Sequence, residues 1–248
     1  MVTIKSESEL ELMRHAGKIL HETLQLLKEH SKSGVTTKQL DTLAHKYITK
    51  QKAKPSFLNY EGFPASICAS VNNEIVHGIP GDRVLEDGDI ISVDVGVCYK
   101  GYHADAARTF AVGKISPEAQ RLIDVTKESF YKGIEFARAG SRLGDIGHAI
   151  QAFVEENGYS VVRELIGHGV GANLHEPPDV PNYGQAGRGL RLVKGMTIAI
   201  EPMVNVGGYD IRRLKNGWTY VTRDNTLSAH YENTVIITDG QCEIITKI

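Results

Sequence analysis

The chain has 248 residues, 41% of them hydrophobic, and sets 28 Lys and Arg against 30 Asp and Glu for a net charge of -2. A folded chain of this length buries about three-quarters of the surface its unfolded form exposes, so no disulfide or structural metal is required and any metal bound is expected to be functional. The charge balance excludes bulk attraction to nucleic acid or an anionic membrane and leaves only local basic patches.

The opening Met1-Val2-Thr3-Ile4-Lys5-Ser6-Glu7 lacks the basic and apolar regions of a signal peptide, and no stretch approaches about 18 uninterrupted apolar residues. A cytoplasmic protein without a membrane span is expected. Ser6-x-x-Glu9 reads as a capping box, and Leu10, Met13, Ala16, Ile19, Leu20, Leu24 and Leu27 follow at helical spacing, predicting a helix over roughly 8–30. Gly34 stops it, Thr37 caps a second helix, and Leu40, Leu43, Ala44, Tyr47 and Ile48 form that helix's apolar face. Cys68, Cys98 and Cys242 are odd in number and widely spaced, which argues against a disulfide framework or a thiolate zinc site.

Ile90-Ile91-Ser92-Val93-Asp94-Val95 and Tyr102-His103-Ala104-Asp105 read as the arms of a β-hairpin. With the turn centred between Tyr99 and Lys100, residues whose numbers sum to 199 face one another, so Asp94 falls opposite Asp105. Two carboxylates about 5 Å apart on an Ile/Val-rich strand require a proton or a cation to neutralise them.

Ser116-Pro117-Glu118 starts a third helix running to about Ala137, and Leu143, Ile146, Ile150 and Phe153 line a fourth that ends near Gly158. The order of elements repeats. Ser33-Gly34 through Leu40 matches Ala139-Gly140 through Ile146 at an offset of 106, and Leu85-Glu86-Asp87-Gly88 before Asp94 matches Leu192-Val193-Lys194-Gly195 before Glu201 at 107. That period exceeds a solenoid repeat of about 20–50 residues and predicts two similar α+β halves, approximately 1–110 and 111–248, in one domain spanning 1–248. The seam between them is the expected place for a site.

Gly167-His168-Gly169, Ile200-Glu201-Pro202 and Tyr231-Glu232-Asn233 each add one ligand-type side chain in a constrained setting. Singly, a Glu beside a buried strand is usually paired with Lys or Arg. Together, four carboxylates and one imidazole form a -4 set that two divalent cations would balance, and its oxygen-rich donors suit Mn, Fe(II) or Co, with Zn also possible. His77 and His175 lie in Val76-His77-Gly78-Ile79-Pro80 and Leu174-His175-Glu176-Pro177-Pro178, outside any periodic pattern. They are candidates for donating hydrogen bonds to a substrate amide or oxyanion, or are ordinary surface histidines.

These motifs, in this order and spacing, resemble the type I methionine aminopeptidases across nearly the whole chain. The resemblance implies an α/β (α+β) pita-bread fold, two pseudosymmetric halves around a curved antiparallel sheet with helices on its outer face. It implies two divalent ions, one held by Asp94, the other by His168 and Glu201, with Asp105 and Glu232 bridging. It implies removal of the initiator Met from nascent polypeptides with a small second residue, by a hydroxide shared between the ions. In that scheme Glu201 shuttles the proton, His175 stabilises the oxyanion and His77 contacts the scissile amide. The free α-amino group sits beside Asp94, and Tyr60, Phe63, Cys68, Leu174 and Trp218 form the Met pocket. Phe63 stands where the family often has Tyr, and Leu174 where a larger aromatic can occur.

Asn72 and Ser228 match positions near a monovalent-cation site in some relatives and are not counted as ligands. Arg212-Arg213-Lys215 reads as a solvated hairpin tip, with contact to ribosomal RNA at the tunnel exit as the alternative. A monomer is expected. The competing readings are an Xaa-Pro aminopeptidase or prolidase, which usually carries an added N-terminal domain, and a non-catalytic module, which typically loses metal ligands. Only 32 residues separate His168 from Glu201, which leaves no room for the helical insertion of type II enzymes.

Overall fold

A computed structural model describes residues 2–247; Met1 and Ile248, the ends of the domain expected from the sequence, lie outside them. Four helices, α1 (Glu7–His30), α2 (Thr37–Lys50), α3 (Pro117–Ile134) and α4 (Leu143–Glu156), pack on antiparallel strands. The first-half strands are β1 (Lys54–Pro55), β2 (Ile67–Val71), β3 (Glu74–Val76), β4 (Ile90–Tyr99) and β5 (Tyr102–Ala111). The second half begins with β6 (Ser160–Val161), β7 (Gly167–Gly169), β8 (Glu176–Val180), β9 (Thr197–Ile200) and β10 (Met203–Asn205). It ends with β11 (Ile211–Arg213), β12 (Tyr220–Thr222), β13 (Ser228–His230), β14 (Asn233–Ile236) and β15 (Glu243–Ile244).

Local chemistry sets the helix ends. Ser6 N donates to Glu9 Oε2 at 2.7 Å, closing the expected box on α1. The cap of α2 is Thr36, one residue before the expected Thr37: Thr36 Oγ1 accepts from Gln39 N and Gln39 Oε1 accepts from Thr36 N. Thr37 instead exchanges hydrogen bonds with the backbone of Gly81. Ser116 Oγ caps α3, which ends at Ile134, three residues before the expected Ala137. Asn157 caps α4, and Gly158 follows at φ +81°.

The predicted repeat is present in the backbone. Gly34 and Gly140 have φ values of 88° and 94°, and their N–H groups donate to Leu85 and Leu192. Isolated bridges join Thr36 to Val84 and Arg142 to Arg191. Each half buries its own apolar cluster between helices and sheet. Leu20, Leu27, Leu40, Ile67, Ile91 and Val95 belong to the first; Phe130, Ile146, Ile150, Ile198, Val204 and Val235 belong to the second. Among the described residues the antiparallel strands hydrogen-bond in four groups, the largest running β15-β14-β9-β7-β8. Across the seam, Glu232 N donates to Ala107 O at 3.0 Å, and Thr234 Oγ1 both accepts from Asp105 N and donates to Asp105 O at 2.9 Å.

The β4–β5 hairpin turns one residue later than expected, which moves each cross-strand partner by two. Lys100 and Gly101 both have positive φ, 49° and 89°, the geometry of a two-residue type I′ turn, so Tyr99 pairs with Tyr102. Asp94 therefore faces Ala107 and Asp105 faces Gly96. The two carboxylates are diagonal neighbours on one face, not directly opposed. Gly96 leaves room for Phe57: a Cβ there would lie 2.7 Å from the Phe57 ring.

All three cysteines are free. Asn72 and Ser228 adjoin, Ser228 N donating to Asn72 O at 2.9 Å while Asn72 Nδ2 donates to Asp89. Arg212, Arg213 and Lys215 are exposed on the β11–β12 hairpin. No helix among the described residues is long and apolar enough to cross a membrane.

Helix α1 is held against the C-terminal segment at Gly17, where a Cβ would stand 2.1 Å from the Ile245 carbonyl oxygen. That oxygen belongs to backbone and cannot rotate away. Gly17→Ala is expected to destabilise the fold by about 1–3 kcal/mol despite alanine's better helix propensity, read from the midpoint of urea denaturation.

Candidate metal centre

Strand β4 delivers Asp94, β5 delivers Asp105, β7 delivers His168, the residue following β9 is Glu201, and Glu232 stands between β13 and β14. All five expected ligands line one cavity of about 350 Å³ at the seam, with His77 and His175. His168 Nε2 lies 3.6 Å from Glu201 Oε1 and 3.9 Å from Asp105 Oδ2. Donor atoms of His168, Glu201 and Glu232 lie within 4.8 Å of one another, as do those of Asp94, His230 and Glu232.

His168 Nδ1 is 2.9 Å from the Gly169 carbonyl oxygen. A carbonyl only accepts, so Nδ1 carries the proton and Nε2 presents a lone pair to the carboxylates, the tautomer a metal ligand needs. Burial holds the His168 pKa down to about 3, with the neighbouring His175 acting in the same direction.

The carboxylates are shifted the opposite way. Burial pushes Asp94 up to about 7 and Asp105, Glu201 and Glu232 well above the usual carboxylate range. Mutual repulsion adds to burial: Glu232 and Asp94 act on Asp105, and Glu201 and Asp94 act on Glu232. Asp94 Oδ1 and Asp105 Oδ1 are buried with no hydrogen-bond partner among the described residues. No Lys or Arg is among the described residues lining the cavity. Arg108 approaches from behind, but its guanidinium donates to the Ala107 and Glu232 carbonyls and to Asn233 Oδ1. Four converging carboxylates, orphaned oxygens and a correctly tautomerised imidazole fit divalent cations.

Beside the ligands lies a third apolar cluster, separate from the two cores, comprising Phe57, Phe63, Ala65, Cys68 and Leu174 with Tyr60, Ile79 and Trp218 packed on it. Every residue expected in the Met pocket is here. Phe63 meets Trp218 edge to face at 5.1 Å between ring centroids, and Leu174 is 1% exposed. Cys68 pairs with Asp94 across β2 and β4, and burial pushes its thiol pKa well up. Tyr60 lies in a single 3₁₀ turn, Tyr60–Gly62, with its hydroxyl 2.9 Å from His175 Nδ1. His175 is exposed at the cavity wall, 4.1 Å from His168 between ring centroids. His77 has φ +57°, and burial brings its pKa down to about 4, so its ring is neutral near pH 7.

Sequence reading missed two residues. Phe57 contributes to the apolar floor only because Gly96 lets its ring approach β4, a tertiary relation without a local signal. His230 stands two residues before Glu232, and period-two alternation in an extended segment would have placed both on one face.

The profile of metallopeptidase family M24 matches residues 11–239. A methionine aminopeptidase of Clostridium perfringens is 57% identical over 248 residues, covering all of both chains. The crystal structure of methionine aminopeptidase from Rickettsia prowazekii superposes with a TM-score of 0.98 at 46% identity, over 99% of this chain and 100% of that one. A prolidase from Pyrococcus horikoshii gives a TM-score of 0.80 at 24% identity, and the match spans 98% of this chain but 63% of the prolidase. This last likeness concerns the fold alone.

Proposed function

The chain belongs to metallopeptidase family M24, and from that premise we infer that it is a methionine aminopeptidase, a metal-dependent hydrolase removing N-terminal Met from polypeptides whose second residue is small. The observation that carries the chemistry is the convergence of four carboxylates, without a Lys or Arg among the described residues lining the cavity, and His168 beside an apolar pocket. Asp94, Asp105, His168, Glu201 and Glu232 would hold two divalent ions of the Mn, Fe(II), Co or Zn class. When bound, such ions lower the pKa of water and polarise a carbonyl.

The chain's own residues supply the rest. Glu201 accepts a proton as the water attacks and returns it to the departing amine. The Tyr60 hydroxyl lies 2.9 Å from His175 Nδ1, and the tautomer in which it donates there leaves Nε2–H to stabilise the oxyanion. Neutral His77 accepts the N–H of the scissile amide. The free α-amino group would sit beside Asp94 and the ion that Asp94 would hold, a contact that an internal peptide nitrogen, with its lone pair delocalised, cannot make. Nascent polypeptide N-termini are the natural substrate.

The thioether side chain enters the cluster of Phe63, Cys68, Leu174 and Trp218, where aromatic faces suit sulfur. Phe63→Ala is expected to lower kcat/KM for Met-Ala-Ser by about 10–100-fold, chiefly through KM, because the ring buries about 1.5–3 kcal/mol of apolar contact. Steady-state kinetics with circular dichroism as a folding control check it.

The deciding assay chelates the protein, restores Mn, Fe(II) or Co separately, and follows free amino acid from Met-Ala-Ser, Met-Lys-Ser, Leu-Ala-Ser and Ala-Pro-Ser by mass spectrometry. Metal-dependent release from Met-Ala-Ser alone is expected. Cleavage of Ala-Pro-Ser instead would move the chain to the proline-directed branch, and no turnover with any ion would favour a non-catalytic module.

A further inference from the structure

His230 takes no part in the chemistry above, yet it stands at the centre. Its backbone is pinned on both sides by Thr109 Oγ1, which accepts from His230 N at 2.9 Å and donates to His230 O at 3.0 Å. Its residue is 2% exposed, and neither ring nitrogen has a hydrogen-bond partner among the described residues. Leaving a buried polar group unsatisfied normally costs about 1–3 kcal/mol, and an imidazole has two such atoms.

Distances indicate what would satisfy it. Nε2 lies 3.8 Å from Glu232 Oε2 and 3.9 Å from Glu201 Oε2. Both exceed hydrogen-bond range. They approach the separation of two donors sharing one cation, since bonds of about 2.1 Å opened to about 120° hold their outer ends roughly 3.6 Å apart. Asp94 completes the group, its donor atom within 4.8 Å of those of His230 and Glu232, and its Oδ1 is also orphaned.

We propose that His230 is a sixth protein ligand of the metal centre, binding through Nε2 the ion that Asp94 and Glu232 hold. This rests on the metalloenzyme reading. Each ion then has one imidazole, His168 on one side and His230 on the other, in place of one nitrogen-bearing and one all-oxygen site. Imidazole favours the later divalent ions, so the Asp94 side gains preference for Fe(II), Co or Zn over Mn.

The test labels the histidines of the full chain with ¹⁵N, removes metal and titrates Zn(II), following ring nitrogens by long-range proton–nitrogen correlation. His230 is assigned by through-bond correlation to its own backbone and by loss of its signals in His230→Gln. One nitrogen each of His168 and His230 is expected to move to the metal-coordinated range by two equivalents of zinc. Calorimetry on His230→Gln should show at least a tenfold loss of affinity at one site and an unchanged other site. Two ions bound while the His230 nitrogens stay put, or become doubly protonated, would overturn the proposal and leave the metalloenzyme reading standing. Failure to bind zinc at all would sink both. If His230→Gln does not fold, the native spectrum decides alone.

Discussion

Glu232→Gln is expected to lower turnover of Met-Ala-Ser by about a thousandfold while making the metal-free protein more stable. The loss follows from removing a charged ligand that acts on the reacting groups, for which factors of about 10³ are typical. The gain follows from electrostatics. Glu232 is 2% exposed, and burial together with Glu201 and Asp94 raises its pKa well above the carboxylate range. Without cations the fold must protonate these acids or bear their repulsion. Gln keeps the shape and removes one charge from the set, a change worth about 1–3 kcal/mol by analogy with other buried charges replaced by neutral groups. In a protein of this size that corresponds to a rise in Tm of roughly 3–10 °C, measured in chelator by scanning calorimetry. Adding divalent metal should raise the Tm of the native chain much more than that of the variant. A metal-free variant less stable than the metal-free native chain would mean that Glu232 holds structure by contacts other than charge.

The same cluster dictates a pH dependence. Asp94, with a folded pKa of about 7, and Asp105, Glu201 and Glu232, raised well above theirs, hold protons that the unfolded chain releases near pH 4. The native state then binds more protons than the unfolded state, so stability falls as pH rises through the folded pKa values. His77, His168 and His230, lowered to about 4, 3 and 3, work the other way: the unfolded chain takes up their protons first, and stability falls as pH drops below about 6.5. The two contributions oppose between about pH 4 and 6.5, leaving the carboxylates dominant above it. Chelated protein is therefore expected to lose Tm as pH rises through about 7, where Asp94 gives up its proton. The metal-loaded protein, whose ligands are already ionised, should show a much flatter profile in the same buffers. Parallel profiles with and without metal would show that the acids are not the ones the ions neutralise.

Much of this site was legible because its signals are local. Asp94 lies inside an Ile/Val strand where a charge is costly, and the 106–107 offset is written in Gly34 and Gly140 and in the strands beginning at Ile90 and Thr197. Hairpin register was less accessible. It depended on whether Lys100, a non-glycine residue, would accept φ 49°, a conformation favoured only when the strand twist rewards it. The cap of α2 moved by one residue because adjacent threonines compete, and the deciding partner of Thr37 is Gly81, distant in sequence. His230 was less legible because a neutral imidazole on a buried strand carries no charge that demands a partner, whereas Glu232 on the same face does. Phe57 could be placed only once Gly96 was known to lie beneath it.

The equivalence of the halves also bears on how such a centre could arise. Asp94 and Glu201 occupy corresponding positions of strands that start 107 residues apart, Asp94 within β4 and Glu201 just past the end of β9. A chain of about half this length, pairing with its own copy about a two-fold axis, would bring two strand carboxylates face to face across the join without any catalytic specialisation. Gene duplication and fusion would then free each copy to diverge. One half here supplies His168 and Glu232, the other Asp105 and His77, so two halves alike in backbone bring different side chains to the seam and the site they form has two unlike ends.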